Sequence, residues 1–216
     1  MPMADYMESI KNTVIGGKHG EIKGLVQQAL DAGLDPSAII NDALIAAMDV
    51  VGKNFGEGKI FVPEMLVSAV TMKAGLEVVK PRLAGGESQP RGTIIMATVK
   101  GDLHDIGKNL VSMMLEGAGF KVWDLGVDLS VEKLIEQIKA IQPDVLGLSA
   151  LLTTTMPEMQ KVIGQLQVHG LRDKIKVMVG GAPLDRGFAE KIGADGYGAD
   201  AAEAVALARR FVGAQA

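Results

Sequence analysis

From residue 92 onward the chain repeats one pattern five times: a short apolar run, then a stretch with helical periodicity. The apolar runs lie at 93–99 (TIIMATV), 120–124, 144–149, 175–179 and around 196–197. The helical stretches lie at about 107–118, 131–140, 156–168, 185–192 and 200–212. A helix between successive strands makes those strands parallel, with helices covering both faces of the sheet. TIIMATV lacks polar alternation, as expected of a strand buried on both sides. The expected fold over 92–216 is α/β: a flavodoxin-like (Rossmann-like), doubly wound, five-stranded parallel sheet. Ligands of such sheets sit beyond the carboxyl ends of the strands, where the strand order reverses.

Residues 1–84 follow a different rule. Ile22, Leu25, Val26, Ala29 and Leu30 form the apolar stripe of an amphipathic helix, and Gly33 stands where a C-terminal cap belongs. Asp35-Pro36 reads as an N-cap followed by proline in the first helical position. Ile40, Leu44, Ala47, Met48, Val51 and Phe55 then fall on one side of a third helix, which ends at GEGKIFV. Pro63 opens a fourth helix, carrying Met65, Leu66, Ala69, Met72, Leu76 and Val79. With a first helix from Asp5 to Ile15, the expectation is a small antiparallel four-helix bundle. The segment 85–91, GGESQPR, has linker composition. The expected domains are thus 1–84, helical, and 92–216, α/β.

Composition removes several classes of function. There is no cysteine, so disulfides, thiolate nucleophiles and cysteine-ligated metals are excluded. The net charge is −4 without a basic cluster, which argues against a nucleic-acid partner. No apolar run reaches the ~18 residues that span a bilayer. The start, MPMADYMESI, carries early acids and lacks the apolar core of a signal peptide. The expectation is a cytoplasmic protein with no membrane partner.

Chemistry concentrates where the fold rule places ligands. After the first apolar run comes Lys100-Gly101-Asp102-Leu103-His104-Asp105-Ile106-Gly107. Alternate side chains of an extended loop point the same way, so the Asp102 carboxylate can reach the His104 imidazole. That arrangement suits a metal-ligating histidine whose other nitrogen donates to a carboxylate. Gly107 would let the helix start lie close to a bulky group. The third run ends in a hydroxyl-rich turn, Ser149 to Thr155, the fourth in Gly180-Gly181, and the fifth at Asp195-Gly196-Tyr197-Gly198. Asp200 is placed to cap the last helix. His19, in an inter-helix turn, and His169, at a helix end, lie outside this motif. Residue types and spacing alone define a cofactor or nucleotide site containing one histidine.

Asp102-x-His104-x-x-Gly107, then Ser149-x-Leu151, then Gly180-Gly181, resembles the signature of cobalamin-binding domains. GDLHDIGKNLV is similar to the cofactor loop of the corrinoid proteins of methyltransferase systems and of cobalamin-dependent methionine synthase. The resemblance covers nearly the whole chain, because the preceding helical domain is also a family feature. It implies a bound cobalamin or related corrinoid, cycling between methylcob(III)alamin and cob(I)alamin, with His104 as the lower ligand of its cobalt. Asp102 would hydrogen-bond the far nitrogen of His104, and Thr155, where serine is familiar, would extend that chain. Asp105, Ile106 and Gly107 belong to the same cofactor loop. Ser149, Leu151, Thr153, Gly180 and Gly181 would line a tunnel for the nucleotide tail, and Tyr197 and Gly198 would close its end. The helical domain would shield the upper face of the corrin, with Phe61, Met65 and Met72 as candidates, and would swing on the 85–91 linker.

The function implied is that of a corrinoid methyl carrier in one-carbon metabolism, itself lacking a substrate site. A substrate-specific methyltransferase (methylamine, methanol, methylthiol or aryl methyl ether donor) would load it. A second methyltransferase would pass the methyl group to a folate or to coenzyme M, and a reductive activating protein would rescue oxidised cobalt. Three alternatives stay open: a cobalamin-binding subunit of a carbon-skeleton mutase, a cobalamin-sensing regulatory module, and a plain flavin- or nucleotide-binding domain.

Overall fold

A computed structural model of the chain describes residues 3–82 and 90–213. It divides into two compact units: Met1–Pro90 with Gly117–Gly119, and Arg91–Glu116 with Phe120–Ala216. The segment expected to be a linker, 85–91, lies outside the described residues except at Pro90 and Arg91.

The first unit is helical. Helix α1 spans Met3–Ile15 and α2 spans His19–Asp31. The third helical stretch is continuous over 36–56 but is built of α3 (Pro36–Ala38), a π-helical segment (Ile39–Ile45) and α4 (Ala46–Gly56). Helix α5 (Val62–Val79) packs against α1, α2 and α4. The capping signals act as read: Asp35 Oδ2 accepts the Ala38 N–H at 2.9 Å, with Pro36 in the first turn, and Gly33 follows α2 at φ 86°. Gly75 allows the close approach of α5, since a Cβ there would lie 2.9 Å from Leu44 and 3.0 Å from Ile22. The π segment has no signal in the apolar spacing, which fits a plain α-helix equally well. His19 is not in the turn but opens α2.

The second unit is a five-stranded, wholly parallel sheet in the order β2-β1-β3-β4-β5. Its strands are β1 (Thr93–Thr98), β2 (Lys121–Asp124), β3 (Val145–Ser149), β4 (Lys176–Gly180) and β5 (Gly196–Gly198). They alternate with α6 (Ile106–Gly117), α7 (Val131–Ile141), α8 (Met156–Val168), α9 (Arg186–Ile192) and α10 (Ala201–Gly213). This is the doubly wound, flavodoxin-like order, and the reversal falls between β1 and β3.

Register explains what each face does. Ala97, Leu148 and Val179 align in one row, with Ile95, Leu146 and Val177 below them. These six pack with Leu134, Ile138, Val162 and Leu166 in the core beneath α7, α8 and α9. One step on, Thr98, Ser149, Gly180 and Gly198 align across four strands at the carboxyl edge. Alternation turns that row of small residues to the opposite face. There α10 comes close, since a Cβ on Gly198 would lie 3.2 Å from the Cβ of Ala204.

Candidate cofactor site

The loop between β1 and α6 carries Asp102 and His104 at the topological switch point. Asp102 has no exposed surface, yet its carboxylate is fully engaged. Oδ1 accepts from the imidazole Nδ1 of His104 at 2.7 Å and from the His104 backbone N–H at 3.1 Å. Oδ2 accepts from the N–H groups of Leu151 and Leu152, at 2.8 and 3.3 Å, and from the Thr155 hydroxyl at 2.8 Å. Burial pushes the acidity of Asp102 one way, disfavouring the ionised form. The hydrogen bonds from Leu151, the His104 ring, Thr155 and the His104 backbone outweigh it and hold the carboxyl well below the usual carboxylate range.

An ionised carboxylate only accepts, so Nδ1 of His104 carries the proton. In the neutral ring the lone pair is then on Nε2. The side chain is 51% exposed, so that nitrogen faces outward from the protein. The carbonyl of His104 is itself fixed by the buried Thr98 hydroxyl at 2.9 Å. This is the arrangement of a metal-ligating histidine whose tautomer is set by a carboxylate.

The loop after β3 supplies three donors to Asp102. Thr155 is the N-cap residue of α8 but makes no side-chain capping bond. Its hydroxyl lies on Asp102 Oδ2 instead. Leu151 acts through its backbone N–H, which sequence reading did not single out; its side chain stays exposed. Thr153 is exposed in the same turn.

Apolar side chains are exposed in the loop that carries His104 and in the loop after β3. Leu103 is 71% exposed and Ile106 86%, and Leu151 and Leu152 are exposed beside them in the adjoining loop. Asp105 accepts from Asn109 at the start of α6, and a Cβ on Gly107 would meet open space. Exposed aliphatic side chains in these two loops, with a half-exposed histidine in one of them, suit a large, partly apolar ligand carrying a metal. Among the described residues no three His, Asp or Glu side chains gather to hold a metal ion. A corrinoid fits, because it supplies the remaining metal ligands itself.

The glycines divide into two kinds. Gly180 and Gly198 permit close packing: a Cβ would lie 3.1 Å from the Gly198 carbonyl oxygen and 3.2 Å from the Ala204 Cβ, respectively. Gly181 is needed by the protein itself: its φ is 138°, and a Cβ would lie 1.8 Å from the Ala150 carbonyl oxygen. Tyr197 corrects the sequence reading. It aligns with Val179, and its side chain packs on the core under α7, α8 and α9, away from the row containing Gly198. Of the three helical-domain candidates, Phe61 is exposed, whereas Met65 and Met72 are buried. His169 ends α8 as its C-cap residue, as read, with Gly170 following at φ 64°.

Two carboxylates at and just beyond the carboxyl end of β2 were not singled out in the sequence. Asp124 pairs with Lys108, whose side chain is only 1% exposed. Asp128 binds the backbone of the His104 loop. The signal was DLGVD at a strand's carboxyl end, which reads as an ordinary polar turn.

Fold and site together define an α/β protein with a carboxylate-oriented, half-exposed histidine at the switch point. Comparison with known proteins makes this specific: models described as B12 binding domain match residues 92–206 and residues 6–80. The chain is 46% identical to trimethylamine corrinoid protein 2 of Methanosarcina mazei, over 84% of each chain. It is 42% identical to dimethylamine corrinoid protein 1 of Methanosarcina acetivorans, over 98% of this chain and 100% of that protein. It also superposes on a chain of the methanol:cobalamin methyltransferase complex of Methanosarcina barkeri with a TM-score of 0.88 and 33% identity, covering 99% of this chain and 81% of that one. The chain belongs to the B12-binding corrinoid proteins of methyltransferase systems. Among the described residues no helix is long and apolar enough to cross a membrane.

Proposed function

We propose that this chain carries a methyl group on corrinoid cobalt between two enzymes. A methyltransferase specific for a methylated amine loads it, and a second methyltransferase unloads it to a folate or to coenzyme M. The amine donor is preferred over methanol, methylthiols and aryl methyl ethers because the similar proteins named above include trimethylamine and dimethylamine corrinoid proteins. A reductive activating protein is the third partner. The observation that carries the reading is the His104–Asp102–Thr155 chain at the switch point, with Nε2 facing outward.

In this reading Nε2 of His104 would hold the corrinoid's cobalt. Bound corrinoid supplies a metal centre that accepts and releases a methyl cation. Asp102 fixes the ring and its tautomer, and Thr155 and the Leu151 N–H keep Asp102 ionised. Leu103, Asp105, Ile106 and Gly107 would help hold the macrocycle. Ser149, Thr153, Gly180, Gly181 and Gly198 would hold the nucleotide tail.

The test takes corrinoid-loaded, reduced protein and offers it methyl iodide, then methylated amines or methanol with their methyltransferases. Uptake from methyl iodide and from one amine system is expected. Loading by the methanol system alone would reassign the donor, and no uptake from methyl iodide would refute the carrier role.

A further inference from the structure

The Asp102–Thr155 network holds His104 from the β3 side. A separate set of contacts holds the same loop from the β2 side, through the segment joining β2 to α7. Asp128 is its centre. Its backbone has φ 53°, in the left-handed region that a non-glycine residue adopts only at some cost. In that conformation its carboxylate Oδ1 accepts the Gly101 N–H at 2.7 Å, and its own N–H donates to the Asp102 carbonyl at 3.0 Å. Gly101 has φ 80°, so both partners of the bond sit in unusual backbone conformations. The segment is tied to β1 on either side, by Thr98 N–H to Gly126 O at 3.0 Å and Leu129 N–H to Thr98 O at 3.1 Å. Asp124 anchors the far end of the ligand loop. It pairs with buried Lys108, which donates to Asn109 Oδ1 at 2.8 Å, while Asn109 Nδ2 donates to Asp105 at 3.1 Å.

The residues from Gly101 to Asp105 are therefore held at both ends from β2, and His104 lies between the two anchors. An ordinary turn after an edge strand has no need of a left-handed aspartate whose N–H and carboxylate both engage a neighbouring loop. We infer that Asp128 is a positioning residue: it sets the backbone of the His104 loop before any cofactor arrives, so that Nε2 is presented ready-oriented to cobalt. This rests on His104 being the cobalt ligand.

Three variants of the full chain separate positioning from bulk stability. Asp128→Asn keeps an acceptor oxygen and tolerates the left-handed conformation. Asp128→Gly keeps the conformation and loses the acceptor. His104→Ala is the control for ligation. Without cofactor, backbone amide exchange is read at Gly101. With cobalamin bound and reduced to the cob(II) state, electron paramagnetic resonance reads the fraction ligated by His104. In wild type the Gly101 amide is expected to be protected. In Asp128→Gly it exchanges roughly tenfold faster, about the loss of one charge-assisted hydrogen bond. The ligated fraction falls severalfold in Asp128→Gly and is restored in Asp128→Asn. A Gly101 amide that is unprotected in folded wild type overturns the proposal without any variant. So does an Asp128→Gly protein with wild-type exchange and ligated fraction. If wild type shows no signal that His104→Ala removes, the ligand assignment fails, and Gly101 exchange alone then decides whether Asp128 orders the loop.

Discussion

His104 and Thr155 bind opposite oxygens of one buried carboxylate. The imidazole Nδ1 is 2.7 Å from Oδ1 of Asp102, and the Thr155 hydroxyl is 2.8 Å from Oδ2. Thr155 therefore reaches the histidine only through Asp102. Thr155→Val removes one donor from a carboxylate with no exposed surface and is expected to cost about 1–2 kcal/mol. Thr155→Ser keeps the hydroxyl and should stay within about 0.5 kcal/mol of wild type. Urea unfolding of the three proteins checks both values.

The same carboxylate gives a pH dependence with a definite sign. Its pKa is depressed in the folded protein, against an unfolded value of about 3.9. Its stabilisation is thus fully present above the unfolded pKa and is lost as pH falls toward the folded one. Asp102→Asn presents an amide N–H₂ to one set of donors and is expected to cost about 2–3 kcal/mol at neutral pH. Between pH 6 and pH 3 wild type should lose more stability than Asp102→Asn, so the gap between them narrows in acid. A constant or widening gap would show that Asp102 is not held ionised.

Glycines that look alike in the sequence should behave oppositely. Gly181→Ala drives a Cβ to 1.8 Å from the Ala150 carbonyl at φ 138°, so the end of β4 must move. A loss of 3 kcal/mol or more, on the order of the largest single-residue effects, is expected. Gly24, within α2, has nothing within 4 Å of the same position. Gly24→Ala should stabilise the helical unit by about 0.5–1 kcal/mol. Thermal unfolding resolves both directions.

The Lys108–Asp124 pair is asymmetric, with side chains 1% and 34% exposed. Removing Asp124 strands a buried ammonium, whereas removing Lys108 leaves a carboxylate that water reaches. Asp124→Ala is expected to cost about 2–3 kcal/mol, after allowance for the solvent that already screens the pair. Lys108→Met should cost less. The reverse order in denaturant titrations would mean that the pair does not hold α6 to β2.

The sheet was legible because its signals are local and repeated: TIIMATV is a short apolar run of strand length, and each later run alternates with a helical stretch. His104 and Asp102 were legible because two residues in one short loop fix their own geometry. Thr155 was reached only through family resemblance, since 53 residues separate it from Asp102 and no local pattern links them. Leu151 and Leu152 bind Asp102 through backbone N–H groups, which side-chain identity does not report. Tyr197 was misplaced because a tyrosine beside a glycine says nothing of which face its strand register selects. Asp128 was missed because its role depends on a left-handed backbone angle that the sequence does not display.

The most direct test of the central claim is made on protein labelled with ¹⁵N-histidine, loaded with cobalamin and reduced to the cob(II) state. Electron paramagnetic resonance then reads the axial nitrogen from its splitting of the cobalt lines. The account requires the three-line splitting of natural-abundance protein to become two-line with the label, and to be absent or changed in His104→Ala. A splitting that ignores both the label and the substitution would contradict it, because the cofactor's own base would then be the ligand.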